Sequence, residues 1–95
     1  MVVSMLRVIF ELPETTSIKD KRRVVSAAKE ALRRKFRLSA AEIDLQDSLR
    51  FAELGAALVS NSKNFGETVM AKALSFLEDG LDLKIHNAEI HSEQY

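Results

Sequence analysis

The chain has no cysteine, which removes disulfides, thiolate metal sites and cysteine nucleophiles together. It has no tryptophan, and aromatic residues make up only 6% of the sequence, too few for the base-stacking pattern of an RNA-recognition-motif sheet. Glycine occurs at Gly55, Gly66 and Gly80 alone, so no phosphate-cradling loop of the P-loop or dinucleotide-binding kind can be assembled. No apolar run approaches the roughly 20 residues needed to cross a bilayer. The opening MVVSMLRVIFELPE has no basic segment before its apolar stretch and no small-residue cleavage site, so a secretory leader is not expected. The expected setting is cytoplasmic, away from any membrane.

Catalytic constellations are equally sparse. His86 and His91 lie five apart on an alternating stretch, which sends them to opposite faces and prevents joint metal binding. Glu89, His91 and Glu93 share a face, but in a tail expected to fray. No serine has a positioned base. The carboxylates Glu42, Asp44 and Glu53 read as charges that keep an outer strand soluble and unpaired. The expectation is a non-enzymatic protein with no cofactor and no metal.

What is present suits one domain of 95 residues, 46% hydrophobic and 29% charged. Residues 2–12 are β-branched and apolar with alternation, a strand that places Val2, Leu6, Val8, Phe10 and Leu12 on one face. After Thr15 and Thr16, Ser17 is the expected helix N-cap, with Asp20 completing a capping box in place of the usual Glu or Gln. The helix runs to about Arg37, turning Val24, Val25, Ala28, Ala31, Leu32 and Phe36 inward. Residues 40–46 alternate Ala41, Ile43 and Leu45 against Glu42, Asp44 and Gln46, a half-buried strand, with a turn at Asp47-Ser48. A third strand over 49–60 leads through Asn61-Ser62 into a second helix. That helix should bury Phe65, Val69, Ala73, Phe76 and Leu77 and stop at Gly80 in a left-handed turn. Residues 81–90 alternate once more. The order β-α-β-β-α-β, with right-handed crossovers, predicts an α+β ferredoxin-like domain: a four-stranded antiparallel sheet with both helices on one face.

The stretches LRVIFELPETTSIKDKRRVV, AEIDLQD and GAALVSN resemble the YlxP-like family of small bacterial domains of unknown function. The most specific piece is Ser17-Ile18-Lys19-Asp20-Lys21-Arg22-Arg23, close to the family's Ser-Leu-Lys-Asp-Lys-Arg pattern. The resemblance covers nearly the whole chain and implies the same ferredoxin-like fold. It also implies a gene found among those for translation initiation and ribosome maturation, and it supplies no catalytic residue.

Charge carries the functional expectation. Fourteen bases balance fourteen acids, yet residues 17–38 hold nine of the bases and only Asp20 and Glu30, a segment of +7 against −7 for the rest. Arg33, Arg34, Lys35 and Arg37 complement the negative end of the helix dipole and need no further reason. Lys19, Lys21, Arg22 and Arg23 crowd the opposite end, where cations are unfavourable by about 0.3–1 kcal/mol each. Their placement makes sense if an anion docks at the helix start. With Lys29, Arg33 and Arg37 extending the stripe, these residues are expected to bind the phosphate backbone of structured RNA or a ribosomal particle. The alternative is a homodimeric protein-interaction module. On that reading Met5, Ile9, Phe51, Ala57 and Val59, with Ile90 as a further candidate, form an apolar interface on the open sheet face and the basic helix is simply solvated. A bulge near Gly55 would rearrange that list.

Overall fold

The computed structural model describes residues 1–14 and 16–95; Thr15, read above as part of the approach to the first helix, lies outside them. Four strands form one antiparallel sheet. β1 (Val2–Glu11) pairs with β3 (Phe51–Ser60) on one side and β4 (Lys84–Gln94) on the other, and β2 (Ser39–Asp44) lies outside β3. Helices α1 (Ile18–Glu30) and α2 (Lys63–Ser75) cover one face. Each runs on through a widened turn, Ala31–Lys35 and Phe76–Gly80 respectively. The fold is the α+β ferredoxin-like βαββαβ arrangement.

Local chemistry explains the helix starts. Ser17 Oγ accepts from Asp20 N at 3.2 Å, and Ser17 N donates to Asp20 Oδ2 at 3.5 Å, so the capping box closes with the shorter Asp side chain. Ser62 Oγ caps α2 by accepting from Phe65 N at 3.1 Å. The helix ends also share one design. Arg37 (φ 57°) and Asp82 (φ 56°) reverse the chain in the left-handed region, and the next residue bonds back to the helix, Leu38 N to Leu32 O and Leu83 N to Leu77 O. Asp82, not Gly80, makes the second reversal, because the widened turn carries the helix two residues further before the chain leaves it.

The core lies between helices and sheet. Leu6, Val8 and Phe10 of β1 meet Leu54 of β3, Val25 and Leu32 of the first helical segment, and Met70 and Leu77 of the second, all at most 4% exposed. Burying such side chains contributes about 1.5–3 kcal/mol each, the main force holding the layers together.

Several elements depart from the sequence reading. Phe65 is 57% exposed, and the buried stripe of α2 is Gly66, Met70 and Ala73, continued by Leu77. Gly66, lacking a side chain, lets the helix backbone sit against Ser4, which rotates the buried face by one residue. In β2 the parity is reversed: Ala40 and Glu42 face the helices, while Ala41 and Ile43 face the open side. Ile43 lies across Gly55, within 3.1–3.2 Å of where a Cβ would stand, and fills the space that glycine leaves. The pairing of β1 with β3 is unbroken at Gly55; the shifts fall instead between Glu42 and Asp44 and within β4. There His86 is an extra residue, since Ile85 pairs with Phe10 and Asn87 with Ile9. The bulge brings His86 and His91 to the same, open face. It also turns Ile90, paired with Leu6, toward the helix side. The tail does not fray: β4 reaches Gln94 opposite Val2, and Tyr95 N donates to Met1 O at 2.7 Å.

Candidate functional site

The outer face of the first helical segment carries the chain's concentration of positive charge, and the structure divides its cations into two groups. Lys21 belongs with the core. At 5% exposure it shares the 21-25-28-32 stripe with Val25, Ala28 and Leu32, a helical spacing that could have revealed its direction. Its Nζ donates to the carbonyls of Leu45 (2.6 Å), Gln46 (3.3 Å), Ser48 and Phe51 (3.3 Å), and lies 3.6 Å from Glu42 Oε2. That ammonium satisfies the carbonyls of the loop joining β2 to β3 and pins the loop to α1. Lys21 is therefore withdrawn from the expected anion-binding set, because its charge is already spent on the chain's own oxygens. Asp20, bound to Ser17, likewise occupies the position where an anion was expected to sit at the helix start.

The remaining cations face outward. Lys19, Arg22, Arg23 and Arg37 are exposed and Lys29 half-buried, and among the described residues none forms an ion pair. Arg33 donates to Ala40 O at 2.7 Å and lies 3.8 Å from Glu30, while Arg34 pairs with Glu30 at 2.7 Å. Lys35 rests 4.9 Å from the centre of the Phe76 ring. From Arg22 to Arg37 the stripe runs about 20 Å. Beside it, Arg22 and Lys29 wall a groove of about 640 Å³ whose other side is the β2–β3 loop at Gln46, Asp47 and Leu49. On the far flank, Arg23 rims an apolar hollow of about 470 Å³ lined by Leu12, Val24, Leu81 and Leu83.

The open sheet face differs in both charge and texture. Met5, Ile9, Phe51, Ala57 and Val59 all lie on it, joined by Ala41 and Ile43 from β2, which the sequence parity had turned inward. At its centre Arg7 pairs with Glu89 at 2.7 Å and lies 3.8 Å from Glu53. Phe51 packs against His86 with ring centres 5.2 Å apart. His91 Nε2 lies 2.9 Å from Glu93 Oε1, and the hydrogen bond and charge of His91 hold the Glu93 carboxyl below its ordinary range. Among the described residues there is no group of three His, Asp or Glu side chains arranged to hold a metal ion. No helix is long and apolar enough to cross a membrane.

Fold and face together define a small ferredoxin-like domain with a basic helical layer and an uncovered sheet. More particularly, the chain belongs to the family described as "Protein of unknown function (DUF503)", whose model matches residues 3–90. No curated protein matches the chain. Among solved structures it is similar to a dabb family protein with a ferredoxin-like fold from Mesorhizobium loti, at TM-score 0.54 and 10% identity over 99% of this chain and 96% of that one. It is also similar to SnoaB, a cofactor-independent oxygenase from Streptomyces nogalater, at 0.53 and 11% over 99% and 92%. A dimeric ferredoxin-like protein of unknown function from Bacteroides fragilis matches at 0.51 and 12% over 99% and 96%. At these identities the likeness shows the fold alone.

Proposed function

We propose that this protein binds the phosphate backbone of structured RNA, free or within a ribosomal particle, through the outer face of its first helical segment, without catalysis. One observation carries the reading: Lys19, Arg22, Arg23, Lys29 and Arg37 are left without ion-pair partners among the described residues of a chain with fourteen acids. Lateral neutralisation was available and is used elsewhere, at Arg7, Arg34 and Lys84. A row of uncompensated cations can lie along a phosphate backbone and recognises no base, so the binding is independent of sequence and sensitive to salt. The setting among translation genes that the family resemblance implies is consistent with it. The sheet is the wrong face for this task. Its open side sets Arg7 and Lys84 against Glu11, Glu53, Glu89 and Glu93, and its one aromatic ring is occupied by His86.

The test is fluorescence anisotropy of a labelled RNA hairpin titrated at several salt concentrations. With about four phosphates neutralised, log affinity should fall with log salt at a slope of about −3 to −4. Arg22→Glu combined with Arg23→Glu should weaken binding at least tenfold and flatten that slope by about two units. Affinity unchanged by the double reversal would dismiss the helix as the binding surface.

A further inference from the structure

We propose that the hollow between α1 and the turn before β4 binds a free α-amino acid with a large apolar side chain, its carboxylate on Arg23 and its ammonium on Asp82. The site flanks the basic stripe and requires nothing of RNA binding, although Arg23 borders both.

The walls call for an apolar body. Leu12 closes the end of β1, Val24 comes from α1, and Leu81 and Leu83 come from the turn. Val24, Leu81 and Leu83 pack against the core, so the fold itself sets the shape of the hollow. Its volume of about 470 Å³ falls within the range of small-molecule sites, roughly 300–1,000 Å³.

The rim calls for a zwitterion. Four charged residues border the hollow: Glu11, Arg23, Asp82 and Lys84. Lys84 Nζ lies 3.3 Å from Glu11 Oε2, and those two neutralise each other. Arg23 and Asp82 remain, one of each sign, and among the described residues neither forms an ion pair, not even with the other. A plain anion on Arg23 would leave Asp82 facing it, and a plain cation on Asp82 would leave Arg23 unmet. An α-amino acid carries both charges on one carbon and its apolar group on the same carbon. With a charge-assisted hydrogen bond of about 2.8 Å at each end, it joins two groups that do not reach one another.

The turn that presents Asp82 is fixed on both sides. Leu81 N donates to Phe76 O at 3.0 Å and Leu83 N to Leu77 O at 3.1 Å. The backbone at Asp82 is thus in place before a ligand arrives, which lowers the ordering cost of binding.

A nitrogen-15 NMR titration of the full chain with L-leucine and L-phenylalanine, up to about 10 mM, reads the site directly and covers weak affinities. One or both should give saturable shifts at the amides of Val24, Ala27, Asp82 and Leu83. Glycine, lacking the apolar group, should bind at least about tenfold more weakly than leucine. Leucinamide and 4-methylpentanoate, each keeping one of the two charges, should also lose about tenfold. Asp82→Asn should weaken leucine about tenfold yet leave 4-methylpentanoate unchanged, since that molecule has no ammonium to lose. Asparagine suits the left-handed backbone at this position (φ 56°), so the turn survives the substitution. Arg23→Gln should in the same way weaken leucine and spare leucinamide. No saturable shift with either amino acid overturns the proposal. So does 4-methylpentanoate binding as tightly as leucine, the mark of a site for a plain anion. Equal loss of leucine and 4-methylpentanoate in Asp82→Asn overturns the pairing of Asp82 with the ammonium.

Discussion

Gly66 of α2 and Ser4 of β1 touch backbone to side chain: a methyl group built on Gly66 would overlap Ser4 Oγ. Ser4 is fully buried, and its Oγ is held by Ser92 Oγ of β4 at 2.7 Å, so it has no room to yield. A single glycine thus sets how closely the second helix approaches the central strand, and through that hydroxyl pair it is linked to the strand at the sheet's edge.

Gly66→Ala is expected to destabilise the fold by about 2 kcal/mol, although alanine is the better helix former by about 1 kcal/mol. The overlap outweighs propensity because the obstructing atom is buried and bonded. Urea denaturation measures the difference. Adding Ser4→Gly should recover part of the loss, whereas an exposed helical glycine would gain from the alanine outright.

Neighbouring residues Lys21 and Arg22 should respond in opposite ways. Lys21→Met leaves the carbonyls of Leu45, Gln46, Ser48 and Phe51, and Glu42, without their cation, and should cost about 3 kcal/mol. Arg22→Glu should stay within about 0.5 kcal/mol of wild-type stability while lowering RNA affinity. Thermal melts alongside anisotropy separate the two. A Lys21 variant of native stability would contradict the clasp described for it.

Arg37 holds a left-handed conformation that suits glycine. Arg37→Gly should therefore stabilise the protein, or leave it unchanged, by up to about 1 kcal/mol, while removing one phosphate contact. Stability rising as RNA affinity falls would mark a position where binding, not folding, accounts for the arginine. Denaturant midpoints and anisotropy report the two quantities on the same sample.

Glu93 titrates below the ordinary carboxylate range because His91 donates to it and, when protonated, adds its charge. A depressed folded-state value means the contact adds stability above the unfolded carboxylate's pKa and loses it as pH falls through the folded one. The pair lies at the surface, so the effect belongs in a carbon-13 NMR titration rather than a melting curve. The Glu93 midpoint should lie low in the wild type and return upward in His91→Ala.

Much of this protein was open to reading from local pattern. The capping box at Ser17 and Asp20, the alternating faces of β1 and the order of elements all depend on residues close in the chain, whose periodicity and hydrogen-bonding options are visible there. The positions that mattered most for the candidate site obeyed other rules. Lys21 reads as one cation in a basic run until the loop beyond β2 gathers its carbonyls around it, 24 to 30 residues away. Ile43 reads as a core residue until Gly55 on the neighbouring strand offers a vacant place on the other face. His86 and His91 read as opposed until one bulge in β4 shifts the parity between them.

The amino-acid sequence by itself determined the topology and the accumulation of charge on the first helix, since both follow from spacing along the chain. Only the tertiary structure decided which of those charges remain free and what the open sheet presents. Those outcomes turn on which distant oxygen, glycine or strand each side chain meets, and short-range forces between remote residues act only after the chain has closed.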